Sequence, residues 1–461
     1  MALHLDLSGL FTVAPDGRGI TPEDLPANAP RAAAARGLLE EQEPAWRRLH
    51  ASSEHREACA RRAAEILEQG VDTFLVLGIG GSALGARAML AALAPVYQDW
   101  GAGERPRVLV LDSVDPDWLG EVLERLDPAR THANVISKSG GTIETSAQFL
   151  LVHDWLCRGL GSAEAARQRF TVTTDPESGA FRALCEAQGF ASLPVPPGVG
   201  GRFSVLSPVG LLAAEVAGLD TTSLLEGAAR TDSRLREAAP EEDAALLYAL
   251  THVLLLERGF PVHVHFAYGH RMRFLADWYQ QLWAESLGKR LDREGRVVHT
   301  GPTPVRAVGP TDQHSQVQLY VEGPADKVFT FLKLGRFGRS LELPEPFADS
   351  PAFRHLGGRS LNELMEAERQ GTEYALLEAG RPSCVLEMCR LDAFHVGQYF
   401  QFLEVATALA GHLMGIDPFD QPGVEAGKKA ALALMGCSGF EELAERIRER
   451  RGERPSLVLS C

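Results

Sequence analysis

The sequence predicts an α/β protein with two doubly wound parallel sheets, an N-terminal helical extension and a C-terminal helical arm. Three observations lead to this fold class. The 461 residues suffice for two domains of ordinary size. Short apolar segments alternate with longer segments of helical composition, which is typical of parallel sheets with helices on both faces. This alternation begins near residue 61 and starts again near residue 236.

The predicted organisation has three parts. Residues 1–60 form a helical extension in which we expect no chemistry, residues 61–235 form the first α/β domain, and residues 236–461 form the second domain with the arm. Strands are predicted at 73–77, 107–111, 133–136, 170–173, 192–195, 262–266, 328–332 and 384–388. Helices are predicted at 57–69, 83–97, 117–126, 142–160, 178–188, 206–217, 243–258, 271–287, 361–369 and 394–414. Ligands of such sheets bind beyond the carboxyl ends of the strands, so the turns that follow the strands are of most interest.

Two of these turns have the composition of anion-binding loops. The turn at 78–82, G-I-G-G-S, follows the first strand and opens a helix, and the turn at 137–142, S-K-S-G-G-T, follows the third strand. Glycines let backbone N–H groups approach a ligand, and a helix N-terminus favours an anion. The hydroxyl of Ser82 can cap the helix or contact a phosphate. Two such turns predict one phosphate bound from two sides.

The glycine turn has a second interpretation when it is taken alone. Residues 78–83 fit the pattern G-x-G-x-x-A of dinucleotide-binding proteins, which calls for an acidic residue about 20 residues further on. Asp112 closes a predicted strand but lies further along the chain than this pattern requires. A tight turn without a ligand is another alternative for a single glycine cluster. The hydroxyl-rich second turn favours a phosphate.

Composition and charge argue against several classes of protein. The formal net charge is -15, which disfavours general binding to nucleic acids or to anionic membranes. No stretch approaches 18 consecutive apolar residues, and the N-terminus lacks the basic and apolar regions of a signal peptide. The seven cysteines are scattered and the histidines form no metal-binding pattern. We therefore expect reduced thiols in a cytoplasmic protein without a metal site.

Four candidate catalytic side chains are weak signals in isolation. Arg202 follows two glycines and precedes a helix, which suggests a position in a cleft. Glu285 stands near the end of a predicted helix, where an exposed carboxylate is the ordinary interpretation. A lone histidine such as His314 is usually structural, and Lys428 taken alone is a surface charge.

Six segments taken together resemble the glucose-6-phosphate isomerase family. They are V-L-G-I-G-G-S, V-I-S-K-S-G-G-T-I-E-T, V-G-G-R-F-S-V-L-S, W-A-E-S-L-G-K, T-D-Q-H-S-Q and Q-P-G-V-E-A-G-K-K. All six occur in the family's order between about residues 78 and 429, which makes the resemblance specific. It implies two sugar isomerase (SIS) domains with a C-terminal arm. It also implies reversible conversion of glucose 6-phosphate to fructose 6-phosphate in glycolysis and gluconeogenesis.

The resemblance implies roles for individual residues. Glu285 corresponds to the catalytic base, and Arg202 corresponds to the arginine near the reacting carbons. His314 and Lys428 correspond to the pair that opens the sugar ring. The residues that correspond to substrate and phosphate contacts are Gly80, Gly81, Ser82, Ser137, Lys138, Ser139, Thr142 and Gln421. The family is typically a homodimer, so His314 would act in the site of the neighbouring subunit, and no metal or nucleotide cofactor is required.

Three positions depart from the family's pattern. Gly141 stands where many members carry threonine, Ala83 where others have a larger or acidic residue, and Pro422 where some relatives have an aromatic residue. None of these departures removes a catalytic group, but they leave the affinity for the substrate open.

Alternative functions also stay open at this point. A related phosphosugar isomerase of the same fold, acting on an aminosugar phosphate or on mannose 6-phosphate, would share most of these features. A sugar-phosphate-binding regulator would keep the phosphate turns, although a protein that only binds needs no base such as Glu285. A dinucleotide-dependent oxidoreductase is disfavoured by the second turn and by the position of Asp112.

Overall fold

Two five-stranded sheets form the framework of the molecule. The computed structural model describes residues 3–11, 16–96, 105–452 and 459. The strands of this part of the chain are β1 His4–Asp6, β2 Thr73–Leu77, β3 Arg107–Leu111, β4 Thr131–Ile136, β5 Phe170–Thr174, β6 Ala191–Pro194, β7 Val262–Tyr268, β8 Lys289–Leu291, β9 Val297–Thr300, β10 Thr303–Gly309, β11 Lys327–Leu334 and β12 Ser383–Met388. One sheet has the order β3-β2-β4-β5-β6, the other has the order β1-β12-β11-β7-β10, and β8 and β9 form a separate hairpin. The predicted α/β fold class is confirmed.

Helices connect most of the successive strands. They are α1 Asp24–Ala27, α2 Ala29–Gln42, α3 Ser53–Glu68, α4 Leu84–Leu93, α5 Pro116–Glu124, α6 Ile143–Leu160, α7 Ala163–Gln168, α8 Ala180–Gln188, α9 Pro208–Val216, α10 Thr221–Glu237, α11 Ala244–Glu257, α12 Arg273–Leu287, α13 Val317–Glu322, α14 Leu361–Glu378, α15 Ala393–Leu413, α16 Glu425–Leu434 and α17 Glu441–Gly452. Every predicted strand and helix has a counterpart here. The helix α14 continues well past its predicted end at residue 369, and α10 was not predicted. The predicted end of the helix 83–97 lies outside the described residues.

The first sheet is parallel throughout, and its three central strands β2, β4 and β5 are buried. All five residues of β2 and all six of β4 are buried, as expected of strands covered on both faces. Leu75, Val135 and Val172 share one hydrophobic core with Phe149 of α6. The Phe149 ring packs edge-on against Phe170 and fixes α6 against the sheet.

The second sheet departs from the all-parallel prediction at one edge. Strands β7, β10, β11 and β12 are parallel, but β1 pairs antiparallel with β12. The first residues of the chain therefore supply a strand where only helices were predicted. The unpredicted β10 has a neighbour on one side only and contains Pro304. Proline is tolerated on such an edge strand, but a proline within a segment argues against a strand when only the sequence is considered, and β10 was therefore not predicted.

Histidines of β7 are part of the core under α12. Trp283 donates its indole N–H to His263 Nδ1 at 3.0 Å, and His265 Nε2 lies 3.0 Å from the Tyr399 hydroxyl. Burial lowers the pKa of His265 to about 3 and that of His252, on α11, to about 4. These side chains are neutral packing groups that hold α12 and α15 against the sheet.

The chain divides into two compact units, Met1–Pro418 and Phe419–Cys461. Both sheets belong to the first unit, and the helices α16 and α17 belong to the second. The domain boundaries after residues 60 and 235 stay predictions. Among the described residues, the helices are too short or too polar to cross a membrane.

Acidification should destabilise the fold through His265. An unfolded histidine has a pKa of about 6.5, whereas His265 in the folded chain has a pKa of about 3. The contribution of neutral His265 to the free energy of unfolding is therefore complete above about pH 6.5. It is lost as the pH falls below that value, by about 1.4 kcal/mol per pH unit. We expect the free energy of unfolding of His265→Gln, measured by urea titration between pH 6 and 4, to fall less steeply than that of the wild type.

The matched control is His355→Gln, because His355 is exposed. Its slope with pH should equal that of the wild type. Equal slopes for His265→Gln and the wild type would show that His265 does not carry this pH dependence.

Candidate active site

The two predicted anion turns follow neighbouring strands of the first sheet. Strands β2 and β4 pair in parallel, so their carboxyl ends lie at the same edge. The strand order reverses at this pair, because the chain passes from β2 to β3 on one side and returns to β4 on the other. Open α/β sheets bind ligands in the crevice at such a reversal. Both turns therefore border one crevice.

The first turn exposes its groups to this crevice. Gly80–Ser82 forms a short 3-10 turn in which Gly80 has a φ of 58°, a left-handed conformation that favours glycine. Ala83, and not Ser82, occupies the cap position of α4. The Ser82 hydroxyl has no hydrogen-bond partner in the described part of the chain. Of the two roles considered for Ser82, capping is not realised.

The second turn is held together by its own hydroxyls. Ser137 Oγ accepts the N–H of Gly140 at 3.2 Å, and Ser139 Oγ accepts the N–H of Gly141 at 3.2 Å. Thr142 directly precedes α6 and forms no side-chain cap, so the first N–H groups of this 18-residue helix stay available. A long helix with uncapped N–H groups is a favourable place for an anion.

Lys138 is directed to a third loop, the one that follows β6. Its ammonium donates to the carbonyl of Val199 at 2.9 Å. The same loop touches the first turn, because a Cβ on Gly81 would lie 2.3 Å from the carbonyl carbon of Gly201 and 2.7 Å from the nitrogen of Arg202. Only glycine allows this approach. It places Arg202 beside the glycine turn.

The guanidinium of Arg202 is buried and surrounded by partners. Its side chain is 1% exposed. It donates from Nε to Ser286 Oγ at 2.7 Å and from Nη2 to the carbonyl of Pro418 at 2.6 Å. The guanidinium also lies 5.5 Å from the centre of the Phe203 ring, within cation–π range. Burial of a cation is costly unless it is paired, and these contacts offset that cost.

Glu285 is the anion beside this cation. It lies in the last turn of α12, next to the buried Leu282 and Trp283. Its Oε2 is 3.6 Å from Arg202 Nη1, close enough for an ion pair but longer than a hydrogen bond. The Glu285 side chain is 32% exposed, so the carboxylate remains accessible. A carboxylate at a helix C-terminus opposes the helix dipole, and the Arg202 cation compensates this repulsion.

Gln281 joins the carboxylate to the glycine turn and was missed by the sequence analysis. Its Nε2 donates to Glu285 Oε1 at 3.2 Å. The same Nε2 would lie 3.0 Å from a Cβ on Gly80. The i, i+4 spacing of Gln281 and Glu285 on one helix was the available signal. Ser286 and Pro418 were also missed, because no local pattern marks them as partners of Arg202.

His314 is not brought together with Glu285 and Arg202 in this chain. It ends the 3-10 turn Thr311–His314, which follows β10, and its side chain is exposed. Asp312 fixes this turn by accepting the Val308 N–H at 2.8 Å and the Ser315 hydroxyl at 2.7 Å. Burial would raise the pKa of Asp312, but these hydrogen bonds outweigh it and lower that pKa. The His314 side chain forms no hydrogen bond or ion pair with any described residue.

Lys428 and Gln421 belong to the second compact unit. Lys428 lies in α16 and pairs with Glu425, one turn away, at 3.1 Å. Both charged side chains are largely exposed, so this ion pair contributes little to the stability of the fold. Gln421 directly precedes the short turn Pro422–Val424. The roles of Lys428 and Gln421 stay predictions.

Comparison with known proteins shows which family this chain resembles. The family model described as phosphoglucose isomerase matches residues 65–438. The glucose-6-phosphate isomerase of Carboxydothermus hydrogenoformans is 44% identical over 393 residues, which are 84% of this chain and 83% of that protein. The glucose-6-phosphate isomerase of Rubrobacter xylanophilus is 42% identical over 423 residues, which are 92% of this chain and 96% of that protein. A crystal structure of a hypothetical protein from Thermus thermophilus is 37% identical, has a TM-score of 0.84, and matches over 94% of this chain and 100% of that chain.

The contact of Gly81 with the Arg202 loop gives a prediction about stability. Gly81→Ala would force Gly201 and Arg202 to move, and such overpacking costs about 1–3 kcal/mol. We expect this loss in the free energy of unfolding, measured by urea titration. Gly141→Ala is the matched control, because the nearest atom to its Cβ would be Ser139 Oγ at 3.7 Å. Equal stability of the two variants would contradict the close contact.

Proposed function

The chain belongs to the phosphoglucose isomerase family, and from this premise we propose that it is a glucose-6-phosphate isomerase. It would interconvert glucose 6-phosphate and fructose 6-phosphate, a reaction of glycolysis and gluconeogenesis. The observation that carries the proposal is the pairing of an accessible carboxylate, Glu285, with a buried cation, Arg202, beside two anion turns. That arrangement fits a sugar phosphate whose phosphate and reacting carbons are held at separate points.

The phosphate binds at the two turns in this proposal. The Ser82 hydroxyl, the hydroxyls of the second turn and the first N–H groups of α6 would serve as donors. Gly80 and Gly81 let the ligand approach the backbone. The phosphate is remote from the reacting carbons, so its binding energy orients them for reaction.

Glu285 is the base that moves the proton. Isomerisation of an aldose to a ketose transfers a proton from C2 to C1, and one carboxylate can remove it and return it to the neighbouring carbon. Gln281 holds one carboxylate oxygen. The other oxygen lies on the side of Arg202 without a direct hydrogen bond to it. This geometry supports an oriented base that is still able to accept a proton.

Arg202 stabilises the intermediate. Removal of the proton gives an enediolate with negative charge on oxygen. The guanidinium is always charged, and Ser286 and Pro418 fix its position before the reaction begins. A fixed cation in a desolvated place stabilises developing charge more strongly than a mobile one in water.

Ring opening is assigned to His314 with Lys428, and Gln421 is assigned to the wall of the pocket. A histidine can exchange protons with the ring oxygen and hydroxyl near neutral pH. In one chain the His314 side chain is exposed and unpartnered within the described residues, which supports its use by a second subunit. We therefore propose a homodimer in which each site receives His314 from the neighbouring chain. A cytoplasmic location is part of the same proposal.

Replacement of the base gives the first test. Glu285→Gln keeps the shape and the Gln281 contact but cannot accept the proton, so kcat should fall by about 10²–10⁴-fold or more in both directions. Binding of fructose 6-phosphate, measured by calorimetry, should persist. Glu378→Gln is the matched control, since Glu378 is an exposed carboxylate at the end of another helix, α14, and it should retain full activity.

The other outcomes separate the alternative functions. A wild type that binds sugar phosphate without turnover would be a regulator. If turnover survives the change Glu285→Gln, the protein is still an isomerase but Glu285 is not its base. Faster turnover of mannose 6-phosphate than of glucose 6-phosphate would favour a related phosphosugar isomerase.

Subunit mixing tests the origin of His314. Glu285→Gln and His314→Ala chains should each be inactive alone. If His314 acts across the interface, half of the sites in a mixed dimer are intact, and equal mixing should restore about a quarter of the wild-type activity. The measurement is kcat after joint refolding of the two variants. No recovery, despite mixed dimers shown by differential tagging, would place His314 in the site of its own chain.

A further inference from the structure

We propose that the chain carries a second small-molecule site, which binds a small amphipathic monoanion. The site is a cavity of about 600 Å³ between β1, α10, α11 and α15. This volume is within the range of ordinary ligand pockets. None of its lining residues belongs to the candidate active site, so the proposal does not depend on the isomerase assignment.

The inner wall of the cavity is apolar. One side is lined by Leu5 of β1 and by Leu3 and Leu7, which flank this strand. Leu386 of β12 and Phe402 of α15, both buried, line the interior. An apolar wall of this extent disfavours a sugar and favours a ligand with a hydrocarbon or aromatic body.

The mouth of the cavity is cationic. Arg230 and Arg234 are exposed, line it one turn apart on α10, and have no ion-pair partner in the described part of the chain. In contrast, Arg236 on the same helix is paired with Asp232 at 2.6 Å. Glu242 is the acidic residue of the cavity lining and His4 is its histidine, so the lining carries one net positive charge when His4 is neutral. Glu237 lies outside this lining, in the adjoining groove that the two arginines also border. A cationic opening in a chain of net charge -15 is a local feature that favours an anion.

A buried amide completes the site. Gln398 of α15 lines the cavity and is 3% exposed, and its Oε1 has no hydrogen-bond partner in the described structure. A buried acceptor without a partner is costly, and a donor on the ligand would relieve that cost. The ligand class is therefore a carboxylate, sulfonate or similar monoanion on an apolar body that also carries an N–H or O–H group.

The probe for this site is 8-anilinonaphthalene-1-sulfonate, which combines a sulfonate, apolar rings and one N–H donor. Fluorescence titration of the full chain should give one saturable site per chain. Arg230→Glu with Arg234→Glu should weaken this binding by about tenfold or more, because the attraction of both cations is replaced by repulsion. Leu247→Trp, which fills the cavity from α11 without a change of charge, should weaken it to a similar degree.

The matched control is the pair Arg446→Glu and Arg450→Glu, which has the same i, i+4 spacing on the exposed face of α17. It should leave probe binding unchanged, and an unchanged thermal midpoint should verify the fold of every variant. Three results would overturn the proposal: no saturable site in the wild type, equal effects of the two arginine pairs, or full binding by folded Leu247→Trp.

Discussion

The burial of the Arg202 guanidinium is the constraint on which the candidate site depends. A desolvated cation persists only where fixed partners replace water. Its hydrogen-bond partners lie 84 residues further on, at Ser286, and 216 residues further on, at Pro418. The first partner ends α12 and the second follows α15, so the arginine after β6 is satisfied only when both sheets are assembled. Its ion-pair neighbour Glu285 directly precedes Ser286 on the same helix.

A second buried ion pair extends this support into the N-terminal segment. Asp232 of α10 accepts from Arg47 Nε and Arg236 Nε, each at 2.6 Å. Burial alone would raise the pKa of Asp232, but its charged and hydrogen-bonded neighbours hold it far below the ordinary value. Trp46, next to Arg47, stacks on Phe203 at 4.9 Å. The N-terminal segment, in which we expected no chemistry, thus packs against the Phe203 ring that Arg202 contacts.

Close backbone contacts join the loops that follow the strands of the first sheet in two pairs, those after β2 and β6 and those after β4 and β5. Gly81 meets Gly201, and a Cβ on Gly140 would lie 2.7 Å from the nitrogen of Ala180. These contacts, with the internal hydrogen bonds of Ser137 and Ser139, order the turns before any ligand arrives. An anion that binds there meets preoriented donors, so little of its binding energy is used to order the protein.

The sequence by itself determined the parallel α/β class, most strands and helices, and the two glycine-containing turns after β2 and β4, whose binding of an anion stays a prediction. These follow from local patterns: apolar runs such as 73–77, and glycines next to a helix start. Tertiary structure alone decided the place of β1, the contact of Gln281 with Gly80 and the pairing of Arg202 with Glu285. β1 has only three residues, too few for a periodic signal. The other two contacts join segments about 80 to 200 residues apart, and such proximity arises from packing, which no local pattern encodes.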